Sequence, residues 1–435
     1  MQLPVLYEGR QVATIAADAG EVRLDYQADW LQAPDRFPAS LTMPLGEAGY
    51  GQDLVLPWLM NLLPEGEPLR AMTRALGASP EDVLALIIET GGDLAGALTI
   101  GSAGQDGAPG YRIVPDTAAL ERIITNLPAR PFLVGENGVS MSLAGAQDKL
   151  PVALQGDGLA IPINGAPSTH ILKPDNPRLL DSVQNEALCM VLANRIGLPT
   201  APVTTGKAGE RSYLLVTRYD RTDGESGTRR IHQEDFCQAL GRPAAAKYEF
   251  NRTGRRGPSL ADMFALVREH MTARDITRLL DAVIFNIAIG NVDSHAKNYS
   301  ILLQLEGPSL APLYDLMSGL AWDGITTNHA QAIGGQRRGR HIYGRHWHRM
   351  AEACGLAARA TVRRVEDVTK RMAGELPNAI DEVAAMPAGR GIMLDVFAKA
   401  MDERIQEVRS HAKEAGDIDQ DEQVDTSVET DDTAY

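Results

Sequence analysis

Asp293, Asn298 and Asp315 bring oxygen-bearing side chains together in an order that suits one kind of chemistry. The stretch Ile289-Gly-Asn-Val-Asp-Ser-His-Ala-Lys-Asn-Tyr-Ser-Ile301 sets Asp293 and Asn298 five apart across a short polar loop. An apolar run from Ser300 to Leu305, a Gly-Pro turn and a second apolar run then lead to Asp315. Transfer of a phosphoryl group from ATP needs a carboxylate to orient or deprotonate the acceptor hydroxyl. It also needs an amide oxygen and a second carboxylate for a hard divalent cation such as Mg2+. Asp293 fits the first role, and Asn298 and Asp315 fit the other two. The plainer reading is that Asp293 and Asn298 shape a turn and Asp315 caps one, since turns favour these residue types. The ordered recurrence of all three makes that reading the weaker one.

An aspartate, four residues, an asparagine and a hairpin ending in aspartate is also the order of protein-kinase catalytic loops. Inside the loop, His295 and Lys297 have the chemistry to neutralise transferring phosphate, or to serve as hydrogen-bonded structure. Lys173 ends the β-rich run Thr169-His-Ile-Leu-Lys173, where an ammonium can act as a point charge on nucleotide phosphates. Glu186 follows thirteen residues later on a helix and could pair with it, although lysine–glutamate pairs are commonly solvated. In Ser142-Leu-Ala-Gly-Ala-Gln-Asp-Lys149, the small residues Ala144, Gly145 and Ala146 would let backbone N–H groups approach phosphate. That loop fits neither Gly-x-Gly-x-x-Gly nor the Walker pattern, so a plain surface turn is its default reading. The segment from Gln336 to Arg349 holds Arg337, Arg338, Arg340 and Arg345 with aromatic residues between them. Such a patch can meet nucleic-acid phosphates or an acidic partner, or form a solvated basic face.

The elements around these residues read as follows. Pro4 to Tyr7, Val12 to Ile15 and Val22 to Tyr26 are short β runs separated by Gly turns. Leu54 to Leu63 has helical length and closes at Pro64. Ser79 is expected to cap a helix with Pro80 at its first position, ending at Gly91-Gly92. The Gly/Ala-rich stretch Gly101 to Gly110 is a boundary. Residues 111 to 216 are strand-rich, interrupted by a helix from Asp181 to Ile196 that Gly197 terminates. From Arg230 to His411 the pattern is mainly helical. Ser259 opens a capping box with Asp262, and Asp275 starts an apolar pillar that stops at Gly290 and delivers Asp293.

Composition sets outer limits. The chain has 435 residues, 44% hydrophobic and 23% charged, which suits a soluble protein of two or three packed subdomains. Net charge is −15, but nine acids lie after Lys413, so the body carries about −6 and argues neither for nor against nucleic acid. Residues 412–435 are expected to be disordered. Cys189, Cys237 and Cys354 have no paired or metal-ligand spacing, which suits buried thiols in a reducing compartment. No signal peptide and no run of about 18 apolar residues is visible, so the expectation is a cytoplasmic protein without a membrane span.

With these motifs in place the chain resembles the HipA family of serine/threonine kinases, toxins of bacterial toxin–antitoxin modules. The resemblance rests on Ser142–Lys149, Thr169–Lys173, Gln184-Asn-Glu186, Arg218-Tyr-Asp-Arg221, Asn291–Asn298 and Leu313-Tyr-Asp315, in family order. It implies an α+β, two-lobed protein-kinase-like fold with ATP between the lobes. The expected divisions are a small N-terminal subdomain (1–105), a mixed N-lobe (106–220), a mainly helical C-lobe (221–411) and the acidic tail. It further implies that Ala144, Gly145, Ala146, Gln147, Asp148 and Lys149 form the phosphate-binding loop and that Lys173 meets the nucleotide phosphates. Thr217, Arg218 and Tyr219 would be the adenine hinge, with Asp220 near the ribose and Tyr314 beside the nucleotide. Asp293 would be the base, His295 a phosphate neighbour, Asn298 and Asp315 the magnesium ligands, and Ser142 an inactivating autophosphorylation site. Family members phosphorylate aminoacyl-tRNA synthetases and bind a helix-turn-helix antitoxin (HipB-like) that holds operator DNA. Asp148 departs from the glutamate common there, and the acidic tail is no family hallmark. A nucleotide-binding co-repressor and a small-molecule kinase are the alternatives.

Overall fold

The computed structural model describes residues 1–18, 20–101, 107–156, 158–224 and 227–414. The expected disorder of the tail beyond 414, and part of the boundary expected at 101–110, lie outside the described residues. The chain divides into two compact units. The first comprises 1–174, 207–244 and 301–308, and the second 175–206, 245–300 and 309–435. The expected subdomain and the strands after it therefore form one unit, and the helix expected at Asp181 to Ile196 belongs to the other.

The first unit begins with the antiparallel strands Gln2–Tyr7, Arg10–Asp18 and Glu21–Tyr26, where alternating residues turn inward. Their sheet carries Tyr50–Gly51 on one edge and Thr99–Ile100 on the other. Trp30, Phe37 and Tyr7 pack edge to face against it, an arrangement that adds to their large buried area. Helix Gln52–Met60 starts two residues before the expected run and encloses Pro57. Helix Gly66–Leu76 follows, and Ser79 does not cap the helix after it. Asp82 does, its carboxylate accepting from Ala85 N at the head of Val83–Thr90, because residues 79–82 fold into a turn.

A second antiparallel sheet in this unit runs Arg211–Thr217, His170–Pro174, Leu150–Gln155, Gly158–Ile163 and Gly110–Ile113. Its register sets Lys173 opposite Leu214 and His170 opposite Thr217, so the lysine and the start of the segment expected to be a hinge sit on neighbouring strands. Leu150, Val152, Leu172 and Leu215 join the core beneath.

The second unit is helical. Ala273–Ile289 is its pillar, buried along most of its length and opened by a capping box between Thr272 and Asp275. The capping box expected at Ser259 and Asp262 opens Leu260–His270. Leu394–His411 and the 27-residue Ala358–Ala384 pack against the pillar. Arg364 grips Asp281 with two bonds of 2.5 Å, a forked geometry that fixes orientation as well as distance. Ser182–Arg195 is buried nearly throughout. All three cysteines are buried thiols, and among the described residues no helix is long and apolar enough to cross a membrane.

Candidate active site

The pillar helix ends because Gly290 adopts φ +68°, a left-handed conformation that side chains disfavour, and a Cβ there would press on Leu320 Cδ2 at 2.4 Å. The loop that follows is held by amides. Asn291 Nδ2 donates to Asn286 Oδ1 at 2.9 Å, and Asn291 Oδ1 accepts from Asp293 N at 3.1 Å. Asn286 Nδ2 donates in turn to the Tyr299 hydroxyl at 2.9 Å. His329 faces the Asn291 carbonyl through Nδ1 at 3.0 Å. Burial, helped by Arg404 and Arg337, drives the His329 pKa down to about 3, so the ring is neutral. A neutral ring facing a carbonyl must carry its proton on Nδ1.

Asp293 itself is partly exposed, and its Oδ1 accepts a short hydrogen bond from the Tyr248 hydroxyl. His295 Nε2 lies 3.8 Å from the same oxygen, and its ring meets Tyr248 edge to face. Asn298 Nδ2 donates to the Asp293 carbonyl at 2.7 Å, which bridges the five-residue loop. That bond orients the amide, so the Asn298 Oδ1 is turned away from it as a hard oxygen donor. Lys297 and His295 are both buried within the loop.

Asp315 stands at φ +57°, a strained region that aspartate tolerates better than most side chains. It is anchored on both sides. Leu313 pairs with Pro199 and Ala201 through main-chain bonds of 2.8 and 2.9 Å, and Ser318 exchanges two bonds with the Asn185 amide. Tyr314 ties the two candidate ligands together, its hydroxyl lying 2.6 Å from the Lys297 carbonyl and 2.7 Å from Ser300 Oγ. Its hydroxyl is thus occupied in holding the neighbours of Asn298 and Asp315. Among the described residues no three His, Cys, Asp or Glu side chains gather as a metal cluster. One amide and one carboxylate nevertheless suit Mg2+, which takes few protein ligands and fills its sphere with phosphate oxygens and water.

The first unit holds the residues expected to meet a nucleotide. Gly145 has φ +108°, and its carbonyl accepts from Glu65 N at 3.1 Å. Lys149 Nζ closes the loop on itself by donating to the Ala144 carbonyl at 2.7 Å. Ala146 and Gln147 lie half-buried between them, and burial raises the Asp148 carboxyl above its usual range. Ser142 is 0% exposed, with Oγ donating to the Leu62 carbonyl at 2.9 Å. Lys173 is buried at the end of its strand. Glu186 is buried in Ser182–Arg195 of the second unit.

Two expectations change. Arg218 and Asp220 bond to each other at 2.6 and 2.9 Å in the interior of the first unit. Arg218 also donates to Leu94 O and Ser168 Oγ, and Asp220 accepts from Gly96 N. Those side chains are committed, Arg218 N donates to the Thr169 carbonyl at 3.0 Å, and the Tyr219 hydroxyl donates to Gln233. Arg337 is 0% exposed, its Nε on the His329 carbonyl and its guanidinium 4.8 Å from the Phe250 ring centre. Enclosed in this way it is no DNA contact; Arg338 and Arg340 are exposed and Arg345 half-buried.

Sequence reading also missed Tyr248. It lies in Lys247-Tyr-Glu-Phe250, a polar run without motif spacing, yet Lys247, Tyr248 and Glu249 are all buried. Glu249 accepts from Ala332 N and Arg256, and the Lys247 carbonyl accepts from Ala296 N within the catalytic loop.

Within the second unit, a carboxylate on a loop closed by an amide, with a second carboxylate next to Tyr314, is the residue set of a protein-kinase-like phosphotransferase. Comparison with known proteins carries this further. The HipA-like C-terminal domain family matches residues 141–376 and the HipA N-terminal domain family residues 3–101. The chain is 37% identical over 392 residues to Y4mE of Sinorhizobium fredii, which carries a kinase name, covering 88% of this chain and 92% of that one. It is 31% identical over 389 residues to the serine/threonine-protein kinase toxin HipA of Shewanella oneidensis, covering 85% and 86%. A solved Shewanella oneidensis complex of HipA, HipB and operator DNA contains a chain that superposes with TM-score 0.81 at 27% identity, over 94% of this chain and 99% of that one. The chain belongs to the HipA family of serine/threonine kinase toxins.

Proposed function

We propose that the chain is a Mg-ATP-dependent serine/threonine protein kinase acting as the toxin of a toxin–antitoxin pair. The observation that carries this reading is the Asp293 carboxylate, with the Asn298 amide bound to its own carbonyl and Tyr248 on its Oδ1. Asp293 orients the acceptor hydroxyl and takes its proton as the γ-phosphoryl group is transferred. Lys173 and the main chain of the 144–149 loop bind the triphosphate, and the 217–219 main chain binds the base. Asn298 and Asp315 would hold Mg2+, which neutralises phosphate charge when bound.

The protein substrate is an aminoacyl-tRNA synthetase, as the family resemblance implies, and Ser142 is the inactivating autophosphorylation site. A HipB-like helix-turn-helix antitoxin is the partner, in line with the antitoxin and operator DNA of the Shewanella complex. Arg338, Arg340 and Arg345 are the candidate contacts to that DNA. Incubating the protein with labelled ATP, Mg2+ and cell lysate tests the reading. A labelled synthetase band supports it, a labelled metabolite points to a small-molecule kinase, and no label leaves a nucleotide-binding co-repressor.

A further inference from the structure

Residues 91–96, Gly-Gly-Asp-Leu-Ala-Gly, thread the interior of the first unit, and their three glycines stand where a Cβ would not fit. A Cβ on Gly91 would lie 2.2 Å from the Ile100 carbonyl oxygen, and one on Gly92 would lie 2.8 Å from that of Ser140. Gly96, at φ +84°, would meet His232 Nδ1 at 2.9 Å. The segment ends the small N-terminal module, and it touches two of the regions assigned above to nucleotide binding.

Its main chain holds the approach to the phosphate loop. Gly92 N donates to Ser140 Oγ at 3.0 Å, and Ser142 N donates to the Asp93 carbonyl at 3.1 Å. Its one charged side chain holds the hinge. The Asp93 carboxylate is 1% exposed and meets Arg221 at 2.9 Å, Arg230 at 3.3 Å and Arg218 at 3.5 Å. Ser168 N adds a bond of 3.1 Å. Arg218 and Arg221 are the residues that also grip Asp220, at 2.6 and 3.0 Å, on the far side of Tyr219. Arg221 further donates to the carbonyls of Gly96 and Ser168.

A buried carboxylate of this kind is expected to take up a proton, and burial does push Asp93 upward. The charges of Arg221, Arg218 and Arg230 outweigh that effect and hold it below its ordinary range. Two carboxylates thus neutralise most of three guanidinium charges, so removing either acid strands cations in the interior.

Taking the kinase reading above as its premise, we infer that Asp93 is a positioning residue for nucleotide binding. Through one carboxylate and one carbonyl it fixes the start of the phosphate loop at Ser142 relative to the hinge at Thr217–Tyr219. The N-terminal module therefore helps shape the nucleoside triphosphate site and is not an appendage to the kinase.

The test uses the full-length chain with Asp93→Asn and Arg230→Gln. The second variant removes a guanidinium with some solvent access and is the one expected to fold if the first does not. Thermal midpoint, binding of a non-hydrolysable ATP analogue, and KM and kcat against ATP and against protein acceptor are measured. For each variant that folds, the analogue Kd and the KM for ATP rise about tenfold, while kcat and the KM for acceptor stay within about threefold. A folded variant of either kind that binds the analogue as wild type does overturns the inference. So does a fall in thermal midpoint with no selective rise in the KM for ATP, which marks a merely structural role. Wild-type protein that neither binds the analogue nor transfers phosphate would instead overturn the kinase reading itself.

Discussion

The hydroxyl of Tyr248 donates to Oδ1 of Asp293, the oxygen that His295 Nε2 also approaches. A hydrogen bond to a carboxylate favours its ionised form and fixes its rotamer. Tyr248→Phe is expected to lower kcat about tenfold and to move the acidic limb of the pH–rate profile to higher pH. An unchanged limb would mean that the phenol does not act through Asp293.

Asp293→Ala is expected to lower phosphoryl transfer at least about a thousandfold, with nucleotide affinity within about threefold of wild type. Isothermal titration with an ATP analogue, beside a labelled-phosphate assay, separates the two effects. Appreciable turnover in the variant would take the base role away from Asp293.

Asn298→Ala removes a hard oxygen donor and the amide that closes the loop onto the Asp293 carbonyl. Its activity is expected to need about tenfold more Mg2+ for half-saturation, with some activity regained at high Mg2+. A magnesium titration identical to wild type would show that Asn298 is no ligand.

Gly290→Ala forces a side chain into a left-handed position against Leu320. A loss of about 1–3 kcal/mol is expected from backbone strain and the contact together, read as a lower urea midpoint. Activity falls beyond what stability explains, because Gly290 sets the exit angle of the loop.

The neutral, buried His329 makes stability depend on pH. Its folded-state pKa of about 3 lies below the ordinary histidine value, so the unfolded chain takes up the proton first. The stabilisation is fully present above about pH 6.5 and is lost as pH falls toward 3, on the order of 5 kcal/mol at the extreme. Urea midpoints measured from pH 7 down to 4 are expected to fall, and less steeply in His329→Gln. Equal slopes would assign the loss to other groups.

Much of the fold was legible beforehand because its elements sit on local signals. The pillar helix is announced by Asp275 and its apolar face, although its cap is Thr272, and Gly290 marks its end. Asp293, Asn298 and Asp315 follow at spacings that a loop and a hairpin must keep. What stayed hidden depends on distant pairing. Tyr248 reaches Asp293 across 45 residues of sequence. Asp93 meets its arginines more than 120 residues away, and nothing near it in sequence declares a buried charge cluster. Arg337 misled in the opposite way: a run of basic residues suggests a surface, but one of them lies against Phe250 in the interior. Asp82 displaced Ser79 as a helix cap because both residue types suit that position and only the turn geometry decides.

The enclosure of Ser142 has a consequence in time. Its hydroxyl is 0% exposed and engaged with the Leu62 carbonyl, so no phosphate donor reaches it until that stretch of chain comes loose. Local openings of this sort occur at a frequency set by their own free energy. Were Ser142 modified as proposed, each molecule would take its single mark at the first productive opening, and the marked fraction would work as a slow clock on how long the population has been active.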